Sequence, residues 1–120
     1  MQPNFVLLYV ENPTLSTRFY QDLFNLPSLE NSENFSLLSV NESSKLGLWK
    51  RSTVLPSVTA ATGAMELAIM LPDAASVQAK YEDWQKRGIH IAQTPVQMDF
   101  GFTFVGLDPD GHRLRVYALS

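Results

Sequence analysis

Hydrophobic positions along this chain switch twice between a two-residue and a helical period. Phe5-Val-Leu-Leu-Tyr-Val10 reads as a strand with Val6, Leu8 and Val10 on one face and Phe5, Leu7 and Tyr9 on the other, because successive strand side chains alternate. Asn12-Pro13 stops it and opens a helix, Asn12 as cap and Pro13 in the first helical position, where a missing N–H costs nothing. Leu15, Phe19, Leu23 and Leu26 recur at helical spacing and predict the stripe that packs on a sheet, and Asn25-Leu-Pro27 ends the helix. Phe35–Val40 and Lys45–Lys50 are further strands around the turn at Asn41–Ser44, with a weak edge strand expected within 28–34.

Ser52–Gly63 lacks periodicity and reads as a linker. The pattern then restarts. Met65–Leu71 predicts a strand, Asp73 an N-cap, and Ala74, Val77, Tyr81 and Trp84 a second helical stripe, with Arg87-Gly88 at its end. After Ile89–Ile91 come an edge strand, Thr94–Met98, and a hairpin, Phe102–Tyr117, turning at Asp108-Pro-Asp-Gly111. On its second arm Leu114 and Val116 face one way and Arg113, Arg115 and Tyr117 the other. Strand, helix and strands thus occur twice. The expectation is an α+β fold of two βαβββ modules, about 1–51 and 64–120, joined by a linker of about 52–63 into one domain.

Composition narrows the function. With no cysteine, disulfides, thiolate catalysis and cysteine metal sites are excluded. A net charge of -3 with scattered signs argues against nucleic acid, which requires a basic patch, and no apolar run approaches the roughly 20 residues of a membrane span. Met1-Gln-Pro-Asn4 shows no basic segment ahead of an apolar run, so cytoplasm is the expected compartment. The expected partner is a small molecule or another protein. His112 follows the turn glycine and is expected at the surface, and neither it nor His90 has a carboxylate cluster to make it a general base. No Ser/His/Asp order or phosphate-binding glycine loop is present, and Asp108 and Asp110 serve the turn.

Paired βαβββ modules ending in Phe104-Val-Gly-Leu-Asp-Pro-Asp-Gly-His-Arg-Leu-Arg-Val116 resemble the vicinal oxygen chelate superfamily of glyoxalases, bleomycin-resistance proteins and extradiol dioxygenases. The resemblance implies mixed sheets curled into a cup with helices outside, and metal ligands at inward positions that fall here on Phe5, Gly47, Glu66 and Arg115. Of these only Glu66 offers a donor to a cation. Leu8-Tyr-Val-Glu-Asn12, Ser16-Thr-Arg-Phe-Tyr20, Gly47-Leu-Trp49, Ile69-Met-Leu-Pro72 and Arg115 are similar to the phenazine-antibiotic resistance branch. That likeness implies a homodimer that sequesters a planar aromatic drug with no metal, no cofactor and no catalytic residue; a metal-dependent lyase or dioxygenase with an atypical site is the alternative.

The expected binding set follows from parity together with that likeness. Trp49 shares its strand face with Gly47 and is expected to stack on the guest or, alternatively, to close the edge of the core, whereas Trp84 belongs to the helical core stripe. Glu66 and Arg115 are expected to form a bidentate pair, either neutralising each other or meeting the ligand. Phe5, Leu7, Tyr9, Phe35, Met70, Phe102, Phe104 and Tyr117 are expected as apolar walls, any of which could serve the core instead.

Overall fold

The computed structural model describes residues 1–120 as two compact units, Met1–Ala60 and Ala61–Ser120. The first runs β1 (Phe5–Val10), α1 (Pro13–Phe24), β2 (Ser28–Asn31), β3 (Phe35–Asn41) and β4 (Ser44–Lys50); the second runs β5 (Glu66–Met70), α2 (Ala74–Lys86), β6 (Ile91–Met98), β7 (Gly101–Leu107) and β8 (Arg113–Leu119). Each is a βαβββ module around an open four-stranded mixed sheet, ordered β1-β4-β3-β2 and β5-β8-β7-β6. The first and last strands of each unit lie side by side in parallel, and the other neighbours are antiparallel. The architecture is the α+β arrangement that the pattern predicts.

In the first unit the cap works as expected, with the Leu15 N–H donating to Asn12 Oδ1 at 3.2 Å. Asn25 ends α1 in the left-handed region at φ 56°. The packing stripe is different from the expected one. Pro13, Ser16, Thr17 and Tyr20 are buried, while Leu15 is 49% exposed. The reason is steric: small Ser16 and Thr17 let the helix lie close on a sheet face already filled by Leu8, Val10, Leu38 and Leu48, and Tyr20, stacked on Phe24 at 6.1 Å, fills the remaining volume. A stripe of leucines is the louder signal, but two hydroxyl residues set the face.

In the second unit the expected stripe is buried at Val77 and Trp84, with Tyr81 half-buried and Ala74 exposed at the start of the helix. Asp73 caps α2, accepting from the Ser76 N–H at 2.7 Å, and Val77 and Trp84 on the helix are buried against the sheet. The edge strand expected at Thr94–Met98 begins earlier, at Ile91, and runs unbroken to Met98; Pro95 is tolerated because an edge strand leaves every second N–H unpaired, and the pairing shifts register between Gln93 and Val96. The β7–β8 turn closes as its residues require, with Gly111 at φ +91° donating to the Asp108 carbonyl at 3.0 Å. Asp108 Oδ1 also accepts from the N–H groups of Asp110 and His112, at 2.9 and 2.8 Å. This wrapped turn leaves His112 only 9% exposed, not at the surface as expected.

The linker is partly structured. Arg51–Thr53 forms a 3-10 turn, Val54 is buried, and Glu11, Arg51, Ser52, Val54, Ser57 and Val58 line a hollow of about 330 Å³. No helix is long and apolar enough to cross a membrane.

Candidate functional site

Each sheet has one face under its helix and one open face, and the open faces carry the chemistry. In the first unit, parallel pairing of β1 with β4 sets Leu7 beside Gly47 and Tyr9 beside Trp49, and antiparallel pairing of β3 sets Phe35 on the other side of Trp49. All share the parity opposite to the helix-facing Leu8, Val10, Leu46 and Leu48. The rings of Tyr9 and Phe35 approach Trp49 edge-on, centroids 6.2 and 6.4 Å away and planes at 73° and 90°. These two T-shaped contacts hold the indole between its strand neighbours.

Gly47 has a different role from the one its lack of a side chain suggests. A Cβ placed there would lie 2.6 Å from Leu7 Cδ2, 2.7 Å from Phe5 Cε1 and 3.2 Å from Phe35 Cε1. The space above the glycine is therefore occupied by three apolar side chains that fold inward over it. Phe5 and Leu7 remain partly exposed, so they form an apolar floor that can yield to a guest.

In the second unit the open face is polar at one end and apolar at the other. Arg115 donates from Nε to Glu66 Oε1 at 2.7 Å and from Nη2 to Glu66 Oε2 at 2.9 Å, the expected bidentate pair. Its Nη1 donates to Gln93 Oε1 at 3.3 Å and to Thr103 Oγ1 at 3.2 Å, while the Thr103 hydroxyl donates to the Val116 carbonyl at 2.8 Å. Arg115 is thus held in one plane by three strands. Arg113 Nη1 stands 3.7 Å from Glu66 Oε2. Hydrogen bonding from Arg115 first, then the charges of both arginines, hold the Glu66 carboxyl below its ordinary pKa against the opposing effect of burial. Along the same face Met70 is the ladder partner of Tyr117, whose ring meets Phe100 edge-on at 5.9 Å.

Two expected wall residues are elsewhere. Phe104 is fully buried on the opposite face, its ring edge-on to Trp84 at 5.2 Å and to Tyr81 at 5.5 Å, and Phe102 shares its parity as the partner of Ala118. They serve the helix side because Thr103, between them, takes the open face. Thr103, Gln93 and Phe100 were not singled out from sequence; the first two become visible only through the fixed position of Arg115, and Phe100 only through the β6–β7 turn.

The four positions at which the resemblance puts metal ligands do not suit a cation. Phe5 and Gly47 have no donor, Arg115 is itself a cation, and both oxygens of Glu66 accept from Arg115. No group of three or more His, Cys, Asp or Glu side chains converges elsewhere.

Comparison with known proteins agrees with the fold. A family model described as the Glyoxalase/Bleomycin resistance protein/Dioxygenase superfamily matches residues 2–116. The phenazine antibiotic resistance protein EhpR of Enterobacter agglomerans is 29% identical over 98% of this chain and 92% of its own length. The solution NMR structure of protein ATC0852 from Agrobacterium tumefaciens, 42% identical, superposes with a TM-score of 0.91 over 100% of this chain and 98% of that one. A glyoxalase-related enzyme from Fulvimarina pelagi, 20% identical, shares the fold with a TM-score of 0.84 over 98% of this chain and 88% of its own.

Proposed function

Since this chain belongs to the glyoxalase/bleomycin resistance/dioxygenase superfamily, we propose that it is a metal-free binder of planar aromatic molecules that confers drug resistance by sequestration. The observation that carries the reading is Trp49, held edge-on by Tyr9 and Phe35 on an open sheet face beside the yielding floor of Phe5, Leu7 and Phe35. A flat guest stacked on that indole gains about 0.5–1.5 kcal/mol beyond the apolar area it buries. The relationship to a phenazine antibiotic resistance protein supports the choice of guest.

The chemistry of the donor set favours binding over catalysis. The superfamily's enzymes use a bound metal to polarise an oxygen, and at the corresponding positions this chain offers one carboxylate already committed to arginine. Sequestration requires no further machinery. Metal analysis of protein purified without chelator, together with equilibrium dialysis against phenazine and quinoxaline, tests the reading: saturable binding with substoichiometric metal is expected, and stoichiometric nickel, zinc or iron would favour a lyase or dioxygenase. We also propose a homodimer. A monomeric mass by light scattering at micromolar concentration would contradict it.

A further inference from the structure

Parallel pairing brings the ends of β1 and β4 together, with Val10 the partner of Lys50. Glu11 and Arg51, the next residue on each strand, therefore leave the sheet side by side, from backbones about 4.8 Å apart. Arg51 is held from the far end of the following segment: its Nη2 donates to the Ala60 carbonyl at 2.6 Å, and its remaining N–H groups meet no protein acceptor. That bond ties residues 51–60 into a loop whose ends meet. Thr53 Oγ1 donates to the Lys50 carbonyl at 2.8 Å and fastens the 3-10 turn, while Val54, 3% exposed, anchors the loop in the unit.

The hollow of about 330 Å³ under this loop is lined by Glu11, Arg51, Ser52, Val54, Ser57 and Val58, all within Met1–Ala60. Tyr9, Phe35 and Trp49 take no part in it. Its wall carries one carboxylate and one guanidinium, and Lys50, the charged residue next in sequence, does not line it. The lining charges sum to zero. A singly charged guest would leave one of them facing an apolar wall without a partner, whereas a guest that carries both signs meets both. Val54 and Val58 supply the apolar wall, and the hydroxyls of Ser52 and Ser57 can each donate and accept. The volume lies at the lower end of ligand pockets, which run from about 300 to 1,000 Å³, so the guest is small.

We propose that this hollow is a separate binding site for a free aliphatic α-amino acid: Arg51 receives its carboxylate, Glu11 its ammonium group, and Val54 and Val58 its side chain. An α-amino acid carries both charges on one carbon, which matches groups that issue from adjacent strands better than a molecule charged at its two ends. Arg51 is half-buried and its guanidinium is fixed by Ala60 before a guest arrives, so a carboxylate gains charge-assisted hydrogen bonds at little further ordering cost. Glu11 keeps its other contacts, because a carboxylate accepts at up to about four sites. The site is distinct from the Trp49 face, and the inference stands or falls apart from the reading of that face.

The test is isothermal titration calorimetry of the parent with L-valine and L-leucine, and with valinamide and N-acetylvaline, which lack the carboxylate and the free ammonium group respectively. Saturable binding of the amino acids is expected, with valinamide and N-acetylvaline each weaker than valine by roughly tenfold or more, the scale of one charge-assisted hydrogen bond. Arg51→Gln should weaken valine to the level of valinamide and leave valinamide unchanged; Glu11→Gln should weaken valine to the level of N-acetylvaline and leave that compound unchanged. Ser57→Trp, which fills the hollow from an exposed position, should abolish binding of both amino acids. A urea midpoint equal to the parent's shows that a variant is folded, and the comparison of derivatives in the parent holds even where a variant is not. Failure of both amino acids to bind the parent, derivatives bound as tightly as valine, or binding that survives all three variants would overturn the inference. None of these results bears on phenazine binding at Trp49.

Discussion

Replacing Glu66 by Gln perturbs the open face of the second unit at its electrostatic centre. The carboxylate accepts two charge-assisted hydrogen bonds from Arg115, at 2.7 and 2.9 Å, and an amide can accept only one of them while turning its own N–H donors toward the other guanidinium nitrogen. Arg113 and Arg115 would also face each other uncompensated. The side chains are 29% and 18% exposed, between the surface regime, where such a pair is worth at most about 1 kcal/mol, and the buried regime, where breaking one costs about 3–5. A loss of about 2–3 kcal/mol at pH 7 is therefore expected, measured as the shift of a urea unfolding curve at constant slope. The loss should depend on pH with a definite sign. The Glu66 pKa is lowered in the folded state, so its contribution is fully present above the ordinary carboxylate range and is lost as pH falls through the lowered value. Parent and variant should converge in acid. A Glu66→Gln protein within about 0.5 kcal/mol of the parent at pH 7, or a difference that does not vary with pH, would refute the account of the clamp.

Two core substitutions test the packing of the second unit. Trp84→Ala removes a side chain that is 2% exposed and edge-on to Phe104, and should cost about 3–5 kcal/mol in urea unfolding. Gly106→Ala should cost about 1–3 kcal/mol by the same assay, because its Cβ would lie 2.8 Å from Trp84 Cε3 in a ring with no room to retreat.

The parity of β1, β4 and β8, both N-caps and the closing turn were legible in the sequence, because each depends on a few adjacent residues: for the caps and the turn, Asn12-Pro13, Asp73 with Ser76, and Asp108 through Gly111. The Glu66–Arg115 pair was legible because the first and last strands of a module are neighbours. What periodicity could not show was which of two apolar stripes α1 buries, since the close approach allowed by Ser16 and Thr17 is a property of the sheet beneath them. Phe102 and Phe104 were expected on the open face, but the register of β7 against β8 gives that face to Thr103 and Tyr117. Nor could composition show that Phe5, Leu7 and Phe35 fold over Gly47; a glycine reads as space until its neighbours are placed.

The central claim, that Trp49 is the stacking surface, is tested most directly by the emission of Trp84→Phe protein, in which Trp49 is the remaining indole, titrated with phenazine. Saturable quenching is expected, and Trp49→Ala in the parent should weaken phenazine binding by roughly 1–3 kcal/mol, the scale of losing an aromatic stacking partner. Binding that leaves the Trp49 emission unchanged and is as tight in Trp49→Ala as in the parent would contradict the account.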